Sequence, residues 1–275
     1  MFCSRLQPKR PREIEKGYWD MINALAYSAG YTGNSGFYGM GGGMLYTLLD
    51  PTYILVIIGL VITLIASANV NYTFKKYDRV SSRRGITAAD AARRILDANG
   101  LYNIRIERVA GNLTDHFSPK EGVIRLSDST FHSTSIAALG VAAHECGHAV
   151  QHQVGYVPIK LRNGIVPFVN ICSYASVPII IIGIILGATN LAYLGVALFC
   201  VVLAFQIITL PTETNASSRA LATLGSMSLL DEYELQGAKR VLRAAAMTYF
   251  ASVASTALQI FRLLLIVNNS RRRDR

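Results

Sequence analysis

The chain has 275 residues, of which 51% are apolar and only 16% are charged. Soluble domains usually carry about 25% charged residues, so this composition excludes disorder, collagen and a soluble repeat array and favours a membrane protein. The net charge of +10 also occurs in nucleic-acid-binding proteins, but membrane proteins use Lys and Arg to set their topology. We therefore expect no nucleic-acid partner. The four cysteines lie far apart without a CxxC pair, which argues against a disulfide framework and a cysteine zinc cluster.

The first 43 residues do not look like part of the membrane protein. They contain no apolar core of a signal peptide, and they end in a glycine-rich stretch directly before Met44. We expect residues 1–43 to be a wrongly assigned extension and the native chain to start at Met44.

Three or four apolar stretches are long enough to cross a bilayer. The first lies within residues 44–74, which carry no charge after Asp50. The second and third lie within residues 165–210, which carry no charge at all and predict a transmembrane hairpin with its turn at 187–190. A weaker fourth stretch, 244–267, contains Arg262 and either crosses or lies along the membrane.

Basic residues beside the spans predict the topology. The segment from 70 to 164 holds 13 Lys and Arg residues against 8 Asp and Glu residues, so we expect residues 75–164 to be cytoplasmic. The segment 211–243 is then cytoplasmic as well. A crossing fourth stretch would put the basic tail, 268–275, outside, whereas a fourth helix that does not cross would remove this conflict.

Residues 75–164 predict a small α+β unit. Thr87 is a candidate N-cap for a helix that ends near Gly100. Residues 103–109 and 123–126 alternate as strands, with a turn-rich connection between them. A long helix, capped by Ser133 or Thr134, then runs to about Gln153. The predicted fold class is a mainly α multi-pass membrane protein with a small α+β zincin-like unit.

The long helix contains the motif HExxH, with His144, Glu145 and His148. Residues four apart share one helical face, so the two imidazoles can hold one Zn²⁺ ion. Glu145 can take a proton from a water that the metal acidifies. Three of the five histidines of the chain lie within residues 144–152, which makes a pair of ordinary histidines the weaker interpretation. We therefore expect one zinc ion per chain.

A zinc hydrolase needs a third protein ligand, and two residues are candidates. His152 continues the face of His148, but one straight helix cannot easily wrap three side chains around a tetrahedral ion, so His152 fits a supporting role or the helix end better. Glu213 is the first charge after the hydrophobic hairpin. Pro211 suits the first turn of a new helix, in which Glu213 is either a ligand or a carboxylate favoured by the helix dipole. The residues alone leave these two roles open.

Several long segments closely resemble the YugP-like family of membrane zinc metallopeptidases. The resemblance spans about residues 48–267. It rests on an LDP sequence at the first span, TFKKYDRVSSRRG (73–85), GLYNIRIERVAGNLTDHFSPKEGVIRLSDSTF (100–131), AALGVAAHECGHAVQH (137–152) and PTETNASSRAL (211–221).

This resemblance implies a bacterial-type, multi-pass gluzincin in the plasma or inner membrane that cleaves polypeptides. It implies that His144 and His148 bind zinc and that Glu145 is the general base. It also implies Glu213 as the third ligand, because Glu213 opens the family element E-x-x-A-S-x-x-A-L. Ser217 and Arg219 in this element are candidates for supporting roles, and Asn215 stands where the family pattern has Asp, which puts a charged role there in question.

The arrangement is also similar to the HtpX-type membrane gluzincins. In those enzymes an extended segment before the HExxH helix binds substrate by strand addition, and here Val123–Ser127 is the expected edge strand. Asp115 and His116 either line the cleft or are solvated turn residues, the latter being the better interpretation. Candidate transition-state stabilisers are Arg219, Arg240 and Tyr249, each of which also suits a structural role.

Two alternatives compete with a zinc endopeptidase at the membrane surface. An intramembrane protease of the site-2 type takes its third ligand from an Asp-Gly pair, and neither Asp50 nor Asp231 is followed by Gly. A non-enzymatic scaffold with structural zinc would favour cysteine-rich ligand sets. Neither explains the motif as well as a peptidase does.

Overall fold

The computed structural model describes residues 51–273, so the expectation for residues 1–43 lies outside the described residues. The described chain is mostly helical, with one small sheet. Its elements, in chain order, are α1 (Tyr53–Asp78), α2 (Ala88–Ala98), β1 (Arg105–Val109), β2 (His116–Ser118), β3 (Val123–Ser127), α3 (Ile136–Gln153), α4 (Val157–Ile185), α5 (Thr189–Ser226) and α6 (Glu232–Arg273).

Four of these helices, α1, α4, α5 and α6, are long and apolar enough to cross a membrane. The mainly α, multi-pass fold class is therefore confirmed, with four candidate spans among the described residues. Helix α4 packs along α5, and α1 packs along α6. The turn between α4 and α5 contains Gly187 in the left-handed region (φ +64°), which glycine adopts without steric cost.

Pro211 does not begin a new helix, as the sequence predicted. It lies inside α5, which runs unbroken for 38 residues. A proline removes one backbone hydrogen bond, but a helix held between neighbours in a membrane protein tolerates that loss. The segment that carries Glu213 is therefore a rigid continuation of the third span.

The sheet differs from the predicted one in two ways. The turn-rich connection contains a third strand, β2, so the order is β1-β3-β2. Strand β3 pairs with β1 in parallel and with β2 in antiparallel orientation. The prediction that Val123–Ser127 is an edge strand is therefore wrong, because both of its edges are already paired. Strand β2, with only three residues, is too short for an alternating pattern to reveal it.

Helix α3 lies at the centre of the described unit and is mostly buried. Its N-cap is Ser135, whose Oγ accepts from the backbone N–H of Ala138, and not Ser133 or Thr134. The predicted cap of α2 is confirmed, since Thr87 accepts from the N–H of Asp90. Around α3 pack α2, α5 and α6, and the many small residues of α3 allow these neighbours to approach closely.

The closest of these approaches is between α3 and α5 at Gly147. A Cβ atom at Gly147 would lie 2.7 Å from the carbonyl oxygen of Ala216 and 3.2 Å from its Cα. These are backbone atoms inside a packed helix, so they cannot rotate away. At Gly140, which lies two turns earlier on α3, a Cβ would lie 3.5 Å from the Cβ of Ala238, which is an ordinary van der Waals distance.

Replacement of these glycines by alanine should therefore have opposite effects. We expect Gly147→Ala to destabilise the protein by about 1–3 kcal/mol through overpacking, although alanine favours the helix. Gly140→Ala gains the higher helix propensity of alanine without a steric clash, so it should be neutral or slightly stabilising. Thermal unfolding of both variants in the same detergent measures the difference, and equal melting temperatures would contradict a tight α3–α5 contact.

Candidate metal centre

Three side chains from two helices converge at the boundary between α3 and α5. His144 and His148 lie on one face of α3, and Glu213 faces them from α5. The Nε2 atoms of His144 and His148 lie 3.3 Å and 3.6 Å from the same carboxylate oxygen, Oε2 of Glu213. The imidazole rings are almost perpendicular, at 83°, and Glu213 is only 4% exposed.

This donor set fits a tetrahedral zinc site. Zinc ligands at about 2.0–2.1 Å from the ion lie about 3.3–3.4 Å from one another in tetrahedral geometry, close to the two nitrogen–oxygen distances above. The candidate ligand atoms of all three residues lie within 4.8 Å of one another. Two imidazoles and one carboxylate are also the ligand types of catalytic zinc sites that leave a fourth position open.

Hydrogen bonds at the far side of each imidazole fix its orientation. His144 Nδ1 lies 3.1 Å from Ser217 Oγ, and His148 Nδ1 lies 3.0 Å from Gln151 Oε1. Gln151 is fully buried, and its Nε2 already donates to the Thr212 carbonyl at 2.8 Å, so its oxygen must face His148. His148 Nδ1 therefore donates, which leaves the Nε2 lone pair directed at the centre.

Asn215 joins this network without a charge. Its Oδ1 accepts from Gln151 Nε2 at 2.9 Å and from Arg219 Nε at 2.8 Å. The amide oxygen thus makes both contacts that a carboxylate could make here. Ser217 contacts the cluster directly, at His144. Arg219 is linked to it only indirectly, through Asn215 and Gln151.

Glu145 is buried, at 9% exposed, yet no hydrogen bond or ion pair engages its carboxylate anywhere in residues 51–273. Burial lowers the pKa of His148, but Glu213, Glu145 and Gln151 raise it, with a net increase. Burial beside Glu145 raises the pKa of Cys146. The Cys146 thiol lies 3.6 Å from the Ala92 carbonyl, so it packs against α2 rather than joining the metal cluster.

Sequence reasoning missed one residue at the centre and undervalued another. Arg162 of α4 lies 3.5 Å from Oε1 of Glu213, the oxygen that does not face the histidines. Tyr249 of α6 lies within range of the charges of Glu213, Arg162 and Glu145, at the margin of the site. No motif surrounds Arg162, and only its position as the last charge before the hydrophobic hairpin marked it.

The other candidates lie elsewhere. His152 is exposed and packs against Phe117 of β2, with 6.1 Å between the ring centroids. The Asp115 carboxylate accepts from the backbone N–H of Ser127 at 2.8 Å and also contacts Thr130, so it holds the end of β3. His116 lies in β2, and its Nδ1 is 2.9 Å from the Thr114 carbonyl. Arg240 contacts Tyr77 of α1 instead of the cluster.

Comparison with known proteins agrees with this geometry. Residues 52–268 match the family described as "Putative neutral zinc metallopeptidase". The chain is 43% identical over 206 residues to "Putative membrane protease YugP" of Bacillus subtilis, which covers 75% of this chain and 92% of that protein. No solved structure matches the chain. Because the family model matches most of its length, the chain belongs to the neutral zinc metallopeptidase family.

Proposed function

We propose that the protein is a membrane-bound, zinc-dependent endopeptidase. The observation that supports this proposal best is the convergence of His144, His148 and Glu213 from two helices beside an unpartnered Glu145. A structural zinc site needs no free carboxylate beside its ligands, whereas a hydrolase needs a general base at this place. Helix α3 is not among the helices that could cross a membrane, which argues against the intramembrane alternative.

In this proposal each residue has one role. His144, His148 and Glu213 hold the metal, while Ser217 and Gln151 orient the two imidazoles. When bound, Zn²⁺ supplies Lewis acidity towards a water and a substrate carbonyl. Glu145 acts as general base and then delivers the proton to the leaving amine. The positions of Arg162 and Tyr249 suit charge stabilisation near Glu213.

Strand β2 suits the binding of an extended polypeptide. It is the edge strand nearer α3, and Phe117 in it touches His152, one turn beyond His148. An extended chain that added to this edge would run past the metal centre, with main-chain hydrogen bonds supplying affinity. We therefore propose unfolded or membrane-associated polypeptides as substrates, since an extended backbone is what this edge accepts.

We further propose that the site faces the cytoplasm. The exposed residues Lys75 and Lys76 end α1, and Arg79 follows directly, as the positive-inside rule requires of a cytoplasmic end.

Glu145→Gln should abolish catalysis without loss of zinc. The amide keeps the shape of the side chain but cannot take a proton, so we expect a fall of about 10²–10⁴-fold in peptide hydrolysis. Cleavage of an unfolded protein substrate and zinc analysis, both on purified protein, measure the two properties. Undiminished cleavage by this variant would disprove the mechanism, and zinc without any hydrolysis by the wild type would favour a scaffold.

Zinc content distinguishes the third ligand. We expect about one zinc per chain in the wild type, loss of most of it in Glu213→Ala, and wild-type content in His152→Ala, because His152 lies against β2. Elemental analysis of the three proteins after the same dialysis gives the answer. The reverse pattern would assign His152 instead.

Ser217→Ala should weaken zinc binding although Ser217 is not a ligand. Without the contact to His144 Nδ1 the imidazole is less well oriented, and we expect about 10–100-fold lower zinc affinity. Ser226→Ala is the matched control on the same helix, because the Ser226 hydroxyl contacts only the backbone of α5. Competition with a zinc-binding dye measures both, and equal affinities would contradict the orienting role.

Labelling with a membrane-impermeant maleimide tests the orientation. In a background with Cys3 and Cys200 replaced by serine, Lys120→Cys should react only after the cells are opened. Leu186→Cys, at the exposed turn of the hairpin, should react in intact cells. The opposite pattern would place the metal centre outside.

A further inference from the structure

A second concave site lies away from the metal centre, between α1 and α6. It is a cavity of about 330 Å³, within the range of small-ligand sites. Its walls come only from these two helices, at spacings that place each set of residues on one helical face. The lining residues are Asn69, Tyr72, Thr73, Lys76 and Tyr77 of α1, and Arg240, Arg243, Ala244 and Met247 of α6.

The charge of this cavity is entirely positive. Lys76, Arg240 and Arg243 line it, and no acidic side chain does. None of the three has an ion-pair partner within residues 51–273. Two of them contact Tyr77. Arg240 donates to its hydroxyl at 3.2 Å, and the Lys76 ammonium lies 5.6 Å from its ring centre. Three cations thus remain available to one anion.

The cavity also changes in polarity along its length. Helices α1 and α6 run in opposite directions at this point, because Tyr77 meets Arg240 while Gly59 of α1 meets Ser255 of α6. The basic end therefore lies next to the catalytic segment, where the apolar run of α1 stops. The other end is lined by Ala244 and Met247 of α6 and by Asn69 and Thr73 of α1, and beyond it the two apolar helices continue.

We propose that this cavity binds an anionic phospholipid. The headgroup phosphate would contact Lys76, Arg240 and Arg243, and an acyl chain would lie along Met247 between the spans. Basic pockets between transmembrane helices at the membrane boundary recognise such headgroups, and arginine suits phosphate because its guanidinium donates two parallel hydrogen bonds. A free phosphate would use only the basic end and would leave Ala244 and Met247 without a contact.

The test measures binding of single lipid molecules to the full-length protein in neutral detergent, by native mass spectrometry. The probes are dioleoylphosphatidylglycerol, dioleoylphosphatidylcholine and inorganic phosphate. We expect phosphatidylglycerol to bind most tightly and the variant K76Q/R240Q/R243Q to lose about a hundredfold in affinity, since each cation near an anionic headgroup contributes about a factor of five.

A matched control separates the cavity from general basicity. The variant K75Q/R79Q/K239Q loses the same charge at the same level of α1 and α6, but these exposed residues do not line the cavity. Its affinity for phosphatidylglycerol should lie within about threefold of the wild-type affinity. This is a smaller change than the factor of about five expected when a single cation that contacts the headgroup is lost. Equal losses in the two triple variants would overturn the site, as would phosphate or phosphatidylcholine binding as tightly as phosphatidylglycerol.

A variant without charge change tests the apolar end. Met247 is 48% exposed, so Met247→Trp should fold normally while it fills the acyl-chain part of the cavity. We expect it to weaken phosphatidylglycerol binding at least about fivefold with its thermal unfolding unchanged. Wild-type lipid affinity in this variant would contradict an acyl chain between the two spans.

Discussion

The close approach of α3 and α5 at Gly147 is the contact on which the metal centre depends. The two histidines come from a buried helix of the catalytic unit, and the carboxylate comes from the end of a membrane span more than sixty residues later. A carboxylate side chain is too short to cross an ordinary gap of about 8–10 Å between helix axes unless the backbones are close. The absent Cβ at Gly147 allows the backbone at Ala216 to come near enough, and Glu213 on the preceding turn then meets both Nε2 atoms.

This contact also fixes where the chemistry lies relative to the membrane. Helix α5 is unbroken from Thr189 to Ser226, so Glu213 is rigidly connected to the third span through Pro211. The metal centre cannot move away from the membrane boundary without moving that span. Arg162 of α4 contacts Glu213, and Tyr249 of α6 lies nearby, so three of the four candidate spans border the centre.

The sequence predicted the residues with local signatures and missed those that depend on packing. HExxH and Thr87 were found because helical spacing and capping are local properties, and Glu213 was singled out by its place after fifty uncharged residues. Strand β2 has three residues and gains its stability from pairing Phe117 with Ile124 of β3, which no local pattern records. Arg162 was missed for the same reason, since its partner lies fifty-one residues away.

The neutral residue at position 215 affects the charge balance of the centre. Glu213 and Glu145 are both buried, and burying carboxylates is costly unless positive charge compensates them. A carboxylate at position 215 would add a third negative group and would neutralise Arg219, which donates to this position. With asparagine, both hydrogen bonds are kept and the charge of Arg219 is not cancelled at that contact. Burial raises the pKa of the Glu213 carboxyl, but the hydrogen bonds and charges of His144 and His148 lower it more, so the ionised form, which is the form that can bind a metal, is favoured.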